Sequence, residues 1–254
     1  MRNAWMVAVV TLVLIGTGLA EAQHEPFRID TDVFSGDNRE PFAQSVTIFS
    51  DGMVYDFPQM GPAEITVFDP ARGRIILLDG QRRVKTTVST HELLEFTAAM
   101  KVKLNQMGGV MADTADNPVE KESDGDDQWY VLGNRLVTYR VRGVQPRFDE
   151  AAARYQQFAD WYARLNATRP GSMPPFLRIE LNRALVQHGL IPEEVELTVS
   201  PERGLMGRNT TIRSRHLPYW RLSNTDRQRI ETAGHQMAKF TAVSFQEYRQ
   251  AANP

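Results

Sequence analysis

Five histidines (His24, His91, His188, His216 and His235) and 31 carboxylate side chains are the residues with the widest chemical reach in this chain. No two histidines fall at i, i+4 around a glutamate, nor at another close ligand spacing to each other, so a zinc site would have to be assembled across the fold. Cysteine is absent, which excludes disulfides, thiolate metal sites, cysteine nucleophiles and an acylated N-terminal lipobox. There is no G-x-S-x-G elbow, no P-loop and no strand-linked G-x-G-x-x-G. A glycosidase-type carboxylate pair stays open on counting alone. Asp56 in VYDF and Asp69 in VFDP have the most apolar settings. Asp69 precedes Pro70 and reads as the start of a turn; Asp56 alternates with Val54 and reads as an outward strand residue. Asp124, Asp126 and Asp127 cluster around Gly125. That cluster suits calcium or a solvated excursion, and the EF-hand alternation with its terminal glutamate is missing. Arg140 and Arg142 share a strand face, as a basic strip for an anionic head group or simply as the wet side of a sheet. Asn166-Ala167-Thr168 and Asn209-Thr210-Thr211 are glycosylation sequons only in a eukaryotic host. Convergent groups with nameable catalytic roles do not emerge. The reading is a non-enzymatic protein with no metal and no cofactor.

The elements that position these residues begin with the stretch Met53–Ser89. Strands are predicted at Met53–Phe57, Glu64–Asp69, Arg74–Asp79 and Arg83–Ser89, broken by Pro58 to Pro62, Asp69-Pro70-Ala71-Arg72-Gly73 and Asp79-Gly80. In EITVFD, Ile65 and Val67 fall on one face and Thr66 and Phe68 on the other. The run Ile75 to Leu78 is apolar on both faces and needs cover on both. Upstream, strands over Phe27–Phe34 and Ala43–Ser50 complete a six-strand antiparallel series, the second joined to the third by the hairpin turn Asp51-Gly52. A helix capped by Ser89-Thr90-His91-Glu92 runs to about Gly108-Gly109. Residues 111–127 form an acidic loop. Strands return over Gln128–Val144, turning at Gly133-Asn134. Helices follow at Asp149–Leu165, with an aromatic face, and Phe176–His188, stopped by Gly189. VELTVS and a strand around Thr211–His216 precede a terminal helix from about Asp226 towards Tyr248, capped by Asn224 or Thr225, with Ile230, Met237, Phe240, Val243 and Phe245 along its apolar side.

Met1-Arg2-Asn3, the apolar run Trp5–Leu19 and Ala20-Glu21-Ala22 have the three parts of a secretory signal peptide. Its core of roughly 15 residues is short of the ~20 that span a bilayer. Residues 1–22 are read as this leader, cleaved near Ala22, and 23–254 as one exported domain, periplasmic or extracellular. A net charge of -2 argues against a nucleic-acid binder.

The order of elements, opening on VYDFPQMGPAEITVFDPARGRIILLD, resembles the LolA/LolB-like periplasmic lipoprotein-carrier superfamily over roughly Phe27 to Val144. The resemblance implies an α+β fold, a strongly curved antiparallel sheet (half-barrel) with helices covering the concave face, and a hydrophobic cavity for lipid acyl chains without cofactor or catalysis. The paired helices at 149–188 and the acidic loop depart from a minimal carrier. Expected lining residues are Ile65, Val67, Ile75, Leu77, Val84, Val137 and Tyr139, with Phe158, Trp161 and Tyr162 on a helical lid. The expected partner is a hydrophobic small molecule or acyl chain, with only transient membrane contact. The alternatives are an envelope interaction module whose core is permanently filled, and a hydrolase of envelope polymers.

Overall fold

A computed structural model describes residues 25–61, 63–107, 120–124, 127–134, 136–200 and 209–250. The leader, most of the acidic stretch and the Gly125/Asp126 part of the aspartate cluster weighed for calcium lie outside the described residues. The strands are β1 (Phe27–Ser35), β2 (Ala43–Ser50), β3 (Met53–Met60), β4 (Glu64–Asp69), β5 (Arg74–Asp79), β6 (Val84–Ser89), β7 (Glu120–Asp124), β8 (Asp127–Gly133), β9 (Val137–Val144), β10 (Ile191–Val199), β11 (Thr210–Tyr219) and β12 (Thr241–Ala242). The helices are α1 (Thr90–Met107), α2 (Glu150–Asn166), α3 (Phe176–Gln187), α4 (Asn224–Lys239) and α5 (Phe245–Gln250). All twelve strands form one open sheet in the order β12-β6-β5-β4-β3-β2-β1-β11-β10-β9-β8-β7. Every pairing is antiparallel except β12 with β6. This is an α+β fold with an open, mostly antiparallel sheet, as the strand series predicts, of the half-barrel type that the resemblance implies.

Turn chemistry explains the meander. Asp51 and Gly52 both take positive φ, the left-handed pair that a two-residue hairpin requires. Asp69 accepts the Arg72 backbone N–H at 3.1 Å and holds both Arg72 and Arg74, so it starts its turn as expected. The capping box at the start of α1 is present, with Ser89 and Glu92 bonding each other's backbone N–H. The acidic stretch is not a loop to its end, since Glu120–Asp124 pairs with β8 as an edge hairpin.

β5 is covered on both sides. Ile75 and Leu77 pack with α2, Phe68 and Val88, whereas Ile76 and Leu78 pack with Ile230, Ala233 and Met237 of α4. Helices therefore lie on both faces, not on the concave one alone: α2, α3 and α5 pack on one face and α4 on the other. The predicted single terminal helix is also corrected. It ends at Phe240, whose backbone is extended, and the chain rounds the sheet edge as β12, with Thr241 and Val243 donating to the Arg83 and Lys85 carbonyls. Ile230, Met237 and Phe240 thus serve one face, while Val243 and Phe245 serve the other. The cap of α4 is Ser223, boxed with Asp226, rather than Asn224 or Thr225.

Candidate functional site

Strand register sorts the α2-facing side of the sheet into levels. One level runs Phe27, Phe49, Val54, Phe68, Ile75, Val88 across six strands and is wholly apolar. The next level, two residues along each strand, runs Ile29, Thr47, Asp56, Thr66, Leu77, Thr86. A third holds Thr31 with His216 and Ser45 as cross-strand neighbours. Thr47, Asp56, Thr66, Thr86 and His216 are all buried. Buried polar groups are costly unless bonded, so this polar half of an otherwise apolar interface is the feature that calls for a functional account.

Asp56 is the centre of that half. Its carboxylate accepts from Thr47 Oγ1 at 2.7 Å and from Tyr162 Oη on α2 at 3.3 Å. No cation pairs with it among the described residues, and burial pushes its carboxyl above the usual range, outweighing the hydrogen bonds from Thr47, Ser45 and Tyr162. The sequence reading placed Asp56 outward. Val54 and Asp56, two apart, instead share the α2-facing side, and this strand has a helix on each face, so neither direction is outward. The Asp56 charge and burial in turn push the Tyr162 phenol far above its ordinary value.

His216 lies between two hydroxyls, with Thr31 Oγ1 at 3.2 Å from Nδ1 and Ser214 Oγ at 3.0 Å from Nε2. Burial, reinforced by the nearby Arg178 charge, lowers it to about 3. The Ser214–His216 distance is that of a nucleophile and its base, but a base of that strength is far from the pKa that proton abstraction near neutrality needs. Its orienting group is a threonine hydroxyl, not a carboxylate. Arg178 donates to the Tyr155 hydroxyl at 3.2 Å, and Tyr155 meets the imidazole edge-on at 6.4 Å.

The third polar group lies where α2, β4 and α5 meet. Glu64 pairs with Arg169 at 2.8 Å and with Arg249 at 3.5 Å. Beside them Tyr248 is fully buried, and burial with the nearby Glu64 carboxylate pushes its phenol far above the ordinary value.

The expected lining residues divide. Ile75, Leu77 and Val84 face α2, where Phe158, Trp161 and Tyr162 pack. Val137 and Tyr139 stand on the same side at the far end of the sheet, under α3. Ile65 and Val67 are on the opposite face under α4, because Thr66 and Phe68, their alternates, are the ones that meet α2. Arg140 and Arg142 form no free strip: Arg140 pairs with Glu122 and Glu196, and Arg142 with Glu193 and Glu194. Among the described residues no group of three or more His, Asp or Glu side chains is placed to hold a metal. No protein-family model and no curated protein sequence matches this chain.

Proposed function

We propose that this is an exported, non-enzymatic protein of the lipoprotein-carrier kind, holding one amphipathic ligand of the lipid or acyl class between α2 and the sheet. The observation that carries the reading is the stratified α2-facing side, an apolar level bordered by levels containing Thr47, Asp56, Thr66 and His216. Polar side chains are the minority in a closed core and are buried there only with bonded partners. A surface graded from aromatic to polar over a few ångströms matches a molecule with a tail and a head. The tail would take the place of α2 side chains such as Phe158, which now packs edge-to-face on Phe49 at 6.0 Å. Roughly ten buried methylenes at ~0.8 kcal/mol each would give micromolar affinity.

Titration with cis-parinaric acid, a fluorescent fatty acid, tests this. Saturable binding at one site per chain, with a Kd on the order of micromolar, is the expected result. The absence of saturable binding would favour the second reading, a packed envelope module. That reading has its own support in the completed ring contacts of the interface, where Phe27 and Phe49 stack at 4.2 Å.

A further inference from the structure

The junction of β4, α5 and the end of α2 carries more donors than its single carboxylate can use. Glu64 Oε1 takes Arg169, and Glu64 Oε2 takes Nη1 of Arg249. The other edge of the Arg249 guanidinium, Nε with Nη2, is buried and has no hydrogen-bond partner among the described residues. That edge is the side-on fork whose two parallel N–H bonds match a carboxylate. The adjoining Tyr248 hydroxyl, in a residue only 1% exposed, faces the same Glu64 carboxylate and adds a further donor to the junction. Thr86 Oγ1, also without a partner and 2% exposed, stands on the α2-facing side of β6, the strand against which α5 packs. Two arginines share one glutamate, so the junction has a surplus positive charge. Burial lowers Arg249 from its ordinary value, the sign of a guanidinium not fully compensated where it lies. The other charged pair at hand, Arg82 with Asp79, is internally satisfied at 2.6 Å. Glu64 continues the polar border of the α2-facing side, two residues from Thr66 on β4.

We propose that Arg249, with Arg169 and the Tyr248 hydroxyl, receives the carboxylate head of the bound amphiphile, which makes the ligand a free acid rather than an ester or alcohol. This rests on the reading of the α2-facing side as a ligand site. The fork of Arg249 takes both carboxylate oxygens, Tyr248 donates to one of them, and Glu64, bridging Arg169 and Nη1 of Arg249, competes with the ligand for the same positive charge.

The test compares cis-parinaric acid with its methyl ester at about pH 8, on the full chain, its R249Q variant and its E64Q variant. The acid should bind the parent at least about tenfold more tightly than the ester, the worth of one charge-assisted bidentate contact. R249Q should reduce the acid to the affinity of the ester and leave the ester unchanged. E64Q, which removes the internal competitor, should tighten the acid several-fold and not the ester, a gain that misfolding cannot mimic. Should R249Q weaken both probes alike, E64Q decides: a gain for the acid alone supports the site, and no gain overturns it. Equal affinity of acid and ester for the parent overturns the head-group site while leaving an apolar ligand in place. Failure of both probes to bind removes the ligand reading and the head-group site together.

Discussion

His216 is where acidity acts on this protein. Burial holds its imidazole down to about 3, while in the unfolded chain it takes a proton near pH 6.5. Below that pH the unfolded state binds one proton more than the folded state, so stability rises with pH across the window from about 3 to 6.5. Acidification through that window therefore removes about 1.4 kcal/mol per pH unit from this residue alone. Asp56 acts with the opposite sign: its raised carboxyl contributes fully below the ordinary aspartate value and loses that contribution as the pH climbs through its folded value. Substituting His216→Gln removes the first slope and leaves the second. Urea midpoints measured from about pH 6.5 down to 4.5 should fall less steeply for H216Q than for the parent. Parallel curves would mean that His216 is charged within the fold. Asp56 stood out in the sequence only by its apolar setting and His216 not at all, because nothing local distinguishes a polar side chain aimed at water from one aimed at a helix distant in the chain.

At the scale of elements, β5 is packed from both sides, since Ile75 and Leu77 serve one core and Ile76 and Leu78 the other. Leu77→Ala and Leu78→Ala should each cost about 2–5 kcal/mol in denaturant unfolding, through contacts with different helices. A loss of less than about 1 kcal/mol from either would show that the corresponding face is not packed. This two-sided strand was legible from RIILLD alone, as were the six-strand series, the hairpin at Asp51-Gly52 and the Ser89–Glu92 cap. Strand parity was not. In β4, Ile65 and Val67 look like the inward pair because they are the aliphatic ones, but both faces are inward and α2 takes Thr66 and Phe68. The break between α4 and α5 was also missed, because Ile230 to Phe245 keeps an apolar rhythm across it. A local signal did exist: Ser244 and Glu247 form a second capping box, each bonding the other's backbone N–H, and they mark a new helix start.

For the whole molecule, the two faces of the sheet have different offices. The α4 face is bolted down: Arg28 on β1 reaches Asp226 at the start of α4 at 3.0 Å, and Lys85 on β6 donates to the Met237 carbonyl near its end. The α2 face has aromatic packing at one level and polar groups at the next, with Tyr162 donating to Asp56 at 3.3 Å, Arg154 to the Glu25 carbonyl at 2.6 Å, and Arg169 and Arg249 pairing with Glu64 at the border. A cover that gives way to a ligand is drawn from the less stable part of a fold. Amide hydrogen exchange, with and without cis-parinaric acid, tests that difference directly. If α2 is a replaceable cover, its amides should exchange well before those of β5 in the free protein, and their protection should change on ligand addition while that of α4 does not. Exchange of α2 in step with β5, unaltered by the fatty acid, would contradict the account and leave a closed, permanently packed core.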